Sequence, residues 1–182
     1  MAGILTIAEL KKHLKALSPQ ELENLICQLY KCDSKNKQML TSLFVGDKYA
    51  QQLLADYKKK MRSMFFGTKG FMPLSTIKAL ITDYKKITDN SFWITDLMLY
   101  YVECGTDFTN DCGNIDESFY NSLSSVFGSV VQNINNASGP EIYGHLKTRL
   151  QKLVSETQHI GWGYGIYVSD AFYQIVWLES DD

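Results

Sequence analysis

Apolar side chains recur at every third or fourth position along almost the whole chain, which is the spacing of one face of an α-helix. This repeated spacing predicts an all-α protein of about nine helices, arranged as antiparallel hairpins in a compact array or irregular bundle. In chain order the apolar stripes run through Ile7, Leu10 and Leu14; Leu22, Leu25, Ile26, Leu29 and Tyr30; Met39, Leu40, Leu43 and Phe44; Leu53, Tyr57, Met61 and Phe65; Ile77, Leu80, Ile81 and Tyr84; Trp93, Leu97 and Tyr101; Phe119, Leu123, Phe127 and Val130; Ile142, Leu146, Leu150 and Leu153; and Tyr164, Val168, Phe172 and Ile175.

Sequence signals for helix starts support the same division of the chain into helices. Ser18 is a typical N-cap, Pro19 suits the first helical position, and Glu21 stands where it completes a capping box. Thr6 and Glu9 repeat the capping-box pattern before the first stripe. These signals place two helix starts within the first twenty residues.

The last stripe is ambiguous, because the tyrosines, valines and isoleucines of residues 164–178 also suit a β-strand. A lone strand would leave buried backbone groups without hydrogen-bond partners, and the chain offers no second strand. We therefore predict a helix for this segment.

Length and composition point to one globular domain. The chain has 182 residues, of which 45% are apolar, and a chain of this length forms one domain as a rule. We therefore expect a single helical domain over residues 1–182. Its apolar share is enough to form a core without metals or disulfides, which excludes a disordered chain.

The same features predict the compartment. No apolar run approaches the ~18 residues of a membrane span, and the first residues lack the features of a signal peptide. We expect a cytoplasmic protein that has no membrane partner and keeps its four cysteines reduced. Cys27 lies beside the apolar stripe of the second helix and is expected to be buried.

Charge divides the chain into two unlike halves. The total of 18 basic and 20 acidic residues, net −2, creates no general attraction to nucleic acid or anionic lipid. Residues 1–86 contain 15 basic and 7 acidic residues and carry +8, whereas residues 87–182 contain 3 and 13 and carry −10. Such asymmetry indicates an interaction surface, attraction between the two halves, or head-to-tail assembly.

The densest basic run is Lys58, Lys59, Lys60 and Arg62 on the predicted fourth helix. Several cations on one face can neutralise nucleic-acid phosphates, and the phenylalanines that follow could stack on bases. Alternatively, the cations balance the helix dipole near a C-terminus while the phenylalanines belong to the core. The second interpretation is favoured, because no recognisable nucleic-acid-binding module surrounds the run.

Residues 104–117 gather two cysteines with several acids and amides, which are residue types that bind metal ions. The Gly, Asp, Asn and Thr content predicts a loop over residues 105–114. Zinc sites use closely spaced cysteine pairs or histidines, which this segment lacks. A calcium loop needs Glu at its twelfth position, where Ser118 stands. A solvated loop that leads into a helix cap is favoured, and we assign no metal site.

The glycine-rich segment around Trp162 is the least ordinary part of the chain. Its glycines lack the spacing of a nucleotide-binding loop and instead predict a tight turn around the large indole ring. If a small-ligand pocket exists, we expect it beside Trp162, Tyr164 and the helix that contains Trp93.

Catalytic motifs are missing from the sequence. The three histidines are far apart, no Ser or Cys stands in a nucleophile elbow, and no zinc-protease motif occurs. We assign no catalytic residue and no cofactor. Enzymatic activity is left open, with its absence favoured.

Several segments resemble an uncharacterised family of small bacterial helical proteins, known only as a domain of unknown function. They are the leucine-rich stretch Leu10–Tyr30, the pair Asn36 and Lys37 followed by Leu40, and the tail segment Ile160–Tyr164. The likeness covers the first forty or so residues and the tail. The resemblance implies a bacterial, cytoplasmic, all-helical protein and carries over no catalytic or binding residue.

The leading functional hypothesis is a non-enzymatic protein-interaction module. Helical arrays offer extended faces, and the charge division creates two dissimilar surfaces. The partner would be another protein or a second copy of the chain. The alternatives are a nucleic-acid-binding accessory protein that uses the basic N-terminal half, and a small-ligand binder that uses the region of Trp162.

Overall fold

The computed structural model of the protein describes residues 3–67, 70, 72–136 and 138–178. Over these ranges it contains nine α-helices and no β-strand, which confirms the all-α prediction. In chain order the helices are α1 (Ile7–Leu14), α2 (Pro19–Cys32), α3 (Ser34–Val45), α4 (Asp47–Phe65), α5 (Leu74–Lys85), α6 (Ser91–Cys112), α7 (Glu117–Ile134), α8 (Gly139–Thr157) and α9 (Tyr164–Phe172).

The central helix of the fold is α6, which packs against α4, α5, α7 and α8. Its sequence explains this position. Within one stretch of it, nearly consecutive residues are apolar and buried: Leu97, Met98, Leu99, Tyr101 and Val102. A helix that is apolar on every side is stable only when other helices surround it. The neighbours of α6 therefore enclose it.

The segment predicted as a loop over residues 105–114 is helical as far as Cys112, which corrects the sequence-based prediction. Gly105 faces α7 so closely that a Cβ at this position would lie 2.5 Å from a methyl carbon of Leu123. Thr109 is also buried, and its hydroxyl donates to the Gly105 carbonyl oxygen at 3.1 Å. Packing against α7 therefore overrides a composition that is typical of loops.

The first part of the last stripe forms α9, so the predicted helix is correct over Tyr164–Phe172, whereas residues 173–178, with Ile175 and Leu178, follow as turns. The buried side of α9 carries Tyr164, Val168 and Phe172 onto α7 and α8. The turn before it places Trp162 and Gly163 in the left-handed region, at φ 58° and φ 70°. This conformation costs a residue with a side chain about 1–2 kcal/mol. The turn reverses the chain so that α9 lies against α8.

One continuous cluster of buried apolar side chains extends from Leu53 of α4 to Ile175 after α9. No apolar side chain of α1, α2 or α3, all of which are described, belongs to this core. We call residues 4–45, which include these three helices, the arm. The arm reaches the core where α3 packs on α4. The joint is Gly46, whose φ of 80° favours glycine.

Replacing Gly165 by alanine should destabilise the fold by about 1–3 kcal/mol. The added Cβ would overlap the carbonyl oxygen of Thr157, and backbone cannot move aside as a side-chain end can. Gly144 is the matched control, because a Cβ on this exposed position of α8 meets nothing within 4 Å. Gly144→Ala should stabilise the protein by about 0.5–1 kcal/mol through helix propensity. Urea unfolding measures both changes, and equal effects would contradict the close packing.

Candidate interaction surface

The helices of the arm have well-formed starts. The Thr6 hydroxyl accepts a hydrogen bond from the Glu9 N–H at 3.3 Å, and the Glu9 carboxylate accepts one from the Thr6 N–H at 2.8 Å. Ser18 and Glu21 form the same capping box before α2. The Asp33 carboxylate accepts from a backbone N–H at the start of α3. The caps satisfy N–H groups that have no partner inside their helices.

The most unusual helix of the arm is α3, which turns its polar side to the core and its apolar side to solvent. Of its twelve residues, all described, only Ser42 is buried, at 8% exposure. Gln38, one turn earlier, lines a cleft between α3, α4 and α5. On the other side, Phe44 is 80% exposed, and Leu43, which lies between the two sides and borders a cleft with Ser42, is 72% exposed. A surface helix normally has the opposite arrangement, so the apolar side of α3 is left for another contact.

A groove of about 400 Å³ lies between α2 and α3 among these apolar side chains. Ile26 and Tyr30 line it from α2, while Leu40 and Phe44 line it from α3. Cys27 also lines the groove and is exposed, which corrects the prediction that it is buried. The reason is that α3 covers only part of the apolar side of α2 and leaves the groove open. A groove of this composition suits the apolar side of a partner helix.

We call the exposed apolar side chains of the arm the arm surface. It comprises eleven large residues, each with at least 41% of its area exposed. Exposed apolar side chains mark interaction sites where they lie together, as those of α2 and α3 do around the groove. The residues are Ile4, Leu5, Ile7, Leu10, Ile26, Leu29, Tyr30, Met39, Leu43, Phe44 and Val45.

Polar contacts, rather than apolar ones, attach the arm to the core. The Lys35 ammonium donates to the Asp83 carboxylate of α5 at 2.8 Å, and this hydrogen bond lowers the pKa of Asp83 below its ordinary value. Within the arm, the Asn36 side-chain amide donates to the Leu29 carbonyl oxygen at 3.0 Å and ties α3 to α2. These contacts orient the arm without using its apolar side.

Acidification should unwind the starts of α1 and α2 before the core unfolds. Hydrogen bonds from the backbone and hydroxyl of Thr6 lower the pKa of Glu9 below its ordinary 4.5, and those from Ser18 do the same for Glu21. A group whose pKa is lowered by folding stabilises the folded state fully above its unfolded pKa. This contribution is lost as the pH falls through the lowered value.

Hydrogen exchange, corrected for the intrinsic rate at each pH, measures this effect. Protection of the α1 and α2 amides should fall as the pH drops below about 4.5, while α6 stays protected. Glu9→Ala, which removes the acceptor of the Thr6 N–H, should weaken the protection of α1 already at neutral pH, whereas Glu23→Ala, a change outside both caps, should not. Arm protection that persists until the core unfolds would contradict the role of the caps.

A network of ion pairs joins α4, α6 and α8. Asp96 of α6, which is 4% exposed, accepts from the Lys58 ammonium at 2.7 Å and from the Arg149 guanidinium. Arg149 also donates to both oxygens of Glu103, at 2.8 and 2.7 Å. Burial acts to raise the pKa of Asp96, but pairing with Arg149 and Lys58 outweighs it and keeps this pKa below the ordinary value. Each charged group in the network has a partner of opposite charge, so the role of the network is to hold α4, α6 and α8 together.

Removing Asp96 should cost much more stability than removing an exposed carboxylate. Asp96→Ala leaves Lys58 and Arg149 short of a partner in partly buried surroundings, and the expected loss is about 3 kcal/mol. Asp107→Ala is the matched control, because it breaks the exposed ion pair of Asp107 with Arg62 at 3.0 Å. That loss should stay below about 1 kcal/mol. Similar losses in chemical denaturation would show that the network contributes no more than a surface pair.

The residues predicted to bind nucleic acid are divided between ion pairs and solvent. Lys58 belongs to the network, and Arg62 pairs with an aspartate of α6. Lys59 and Lys60 are exposed. Because carboxylates of α6 already neutralise two of the four cations, the run is less suited to binding phosphates than its sequence indicates.

The aromatic residues predicted to line a pocket lie in different places. Tyr164 is buried and shares a 2.9 Å hydrogen bond with Thr106, and burial raises its pKa. Trp93 is half-buried and precedes Thr106 by thirteen residues on α6, which is about 20 Å along the helix axis. Trp162 is exposed. The structure thus separates Trp93 from Tyr164, and ligand binding at these residues stays a prediction.

Trp162 belongs to a second exposed apolar patch, along the outer side of α9. Ile166 lies within α9, whereas Trp162 belongs to the turn before this helix and Tyr173 is the residue that caps its end. With Tyr167 and Val176 they form what we call the α9 surface. Its five side chains are 40–72% exposed.

The described part of the chain offers no candidate metal centre. No group of three His, Cys, Asp or Glu side chains in that part lies close enough to hold an ion. Its four cysteines are free thiols. The helices within the same ranges are too short or too polar to cross a lipid bilayer.

All nine described helices lie within the region that matches a known family. The sequence model of DUF6155, a family of unknown function, matches residues 5–172. The chain belongs to this family. No curated protein and no solved structure matches it. The DUF6155 match confirms the resemblance to an uncharacterised family and extends it through the middle of the chain.

Sequence reasoning missed both main features of this DUF6155 protein. A stripe that faces solvent has the same spacing as a stripe that faces a core, so the exposure of the arm surface left no sequence signal. The ion-pair network did leave one. Asp96 interrupts the apolar stretch of α6, and a carboxylate at a core position requires a cationic partner.

Proposed function

We propose that the chain is a non-enzymatic protein-interaction module and that the arm surface binds the partner. The orientation of α3 carries this proposal, because Ser42 faces the core while Leu43 and Phe44 face solvent. Burying a large apolar side chain stabilises by about 1.5–3 kcal/mol. A partner that covers the arm surface gains part of this free energy, less the cost of lost translational and side-chain freedom on association.

The length of α1 supports the same proposal. It has eight residues and no buried one, and isolated helices shorter than about 12–15 residues are marginal in water. Its capping box defines where the helix begins but supplies no packing. A partner that packs on Ile7 and Leu10 would provide the apolar contacts that the core does not make with α1.

The groove between α2 and α3 indicates the form of the partner. Its lining is apolar and open to solvent along the hairpin, which is the geometry that receives one side of an amphipathic helix. We therefore propose helix-in-groove recognition of a protein. Following the resemblance found from the sequence, we also propose a bacterial cytoplasmic setting.

Site-specific photo-crosslinking in cells of the source organism tests the proposal. A benzophenone amino acid in place of Phe44 should form protein adducts, because this position lies in the groove. The matched control places it at Gln51, an exposed position of α4 outside the arm surface. Adding Leu43→Glu to the Phe44 probe should reduce the adducts about fivefold or more. Equal adduct yields at positions 44 and 51 would overturn the proposal.

A further inference from the structure

Two separate apolar surfaces lie on the same chain. The arm joins the core through α3 on α4, whereas α9 packs on α7 and α8. Each surface has a stripe of large apolar side chains that the core does not cover. Both surfaces are therefore exposed in the single chain.

Charge distinguishes the two surfaces. Residues 1–45 contain six lysines and four acidic residues, net +2, and all six lysines are exposed. Residues 153–178 contain two acidic residues, Glu156 and Asp170, and neither Lys nor Arg, net −2. Two arms placed together would bring like charges close, whereas an arm placed on an α9 surface brings opposite charges together.

The areas also match. Side chains of about 200 Å² each, exposed by 40–72% on the α9 surface, present roughly 600 Å² in total. Covered by a similar area of the arm surface, they would bury about 1,200 Å², the lower limit for a specific interface. The expected contact is specific and of moderate affinity.

We propose that the arm surface binds the α9 surface of a second copy of this chain, so that copies associate head to tail. This inference rests on the proposed function and names its partner. Because the two surfaces differ, each bound pair keeps one free arm and one free α9 surface. Further copies therefore add until the assembly closes into a ring or continues as a filament.

The residues at the centre of the contact follow from exposure and charge. Ile166 is the most exposed apolar residue within α9, and it is the side chain that enters the groove between α2 and α3. Lys37 lies at the edge of this groove, with its ammonium 5.8 Å from the centroid of the Tyr30 ring. Asp170 is exposed one turn after Ile166. Insertion of Ile166 therefore brings Asp170 to Lys37.

Sedimentation velocity of the full chain from about 5 to 500 µM tests the proposal. The wild-type chain should form species larger than a monomer as its concentration rises. Phe44→Glu and Ile166→Glu should each raise the dissociation constant more than about tenfold. Met72→Glu is the matched control, because Met72 is an exposed apolar residue outside both surfaces. It should leave association unchanged.

Mixing the two variants distinguishes head-to-tail association from other modes of association between copies. Phe44→Glu retains an intact α9 surface and Ile166→Glu retains an intact arm, so an equal mixture should form a one-to-one pair that grows no further. Exchanging the charges as Lys37→Asp with Asp170→Lys should restore association that either change alone weakens. Circular dichroism checks that each variant is folded. If a glutamate variant is unfolded, the same position is changed to serine instead.

The other outcomes are distinguishable. Association that survives Ile166→Glu, or a mixture that does not pair, would overturn the head-to-tail contact. A chain that stays monomeric at 500 µM would overturn it as well. If crosslinks from position 44 then reach a different protein, the proposed function stands and only the identity of the partner is wrong. A monomeric chain without crosslinks at position 44 would overturn both proposals.

Discussion

The carboxylate of Asp96 occupies the inner side of α6, where an unpaired charge would cost several kcal/mol. Two neighbouring helices meet this requirement, because α4 brings Lys58 and α8 brings Arg149. Glu103 holds Arg149 through a second pair of hydrogen bonds. Because hydrogen bonds depend on direction, the network favours the arrangement of α4, α6 and α8 in which all of these pairs form together. The apolar side chains of the core pack closely around this arrangement.

The arm follows a different physical rule. In the core, apolar side chains are covered by helices of the same chain, and buried polar groups such as Thr106, Tyr164 and Asp96 find partners there. In α3 this order is reversed, with Ser42 inside and Phe44 outside. The same chain thus combines helices that its own core stabilises with helices whose apolar sides are complete only beside another molecule. Helix α9 combines both kinds of side: its inner side packs on the core of the same chain, and the apolar side chains of its outer side are exposed.

Features encoded by neighbouring residues were predictable from the sequence. The helix starts at Thr6 and Ser18, and the helical form of the first part of the last stripe, depend on local spacing and local hydrogen bonds. Features that depend on distant residues were not. The helix through Gly105 needs Leu123 of α7, and the partners of Asp96 lie 38 and 53 residues away. The arm surface was missed for a further reason, since spacing identifies a face of a helix but not what the face meets.

Gly46 is the single residue between the end of α3 and the start of α4. Its φ of 80° makes the whole change of direction between the arm and the core at one position. A residue with a Cβ would be strained at this φ, so the direction in which the arm leaves the core depends on a residue that has no side chain. If copies associate through the arm as proposed above, a substitution at Gly46 therefore changes how each copy is placed on the next.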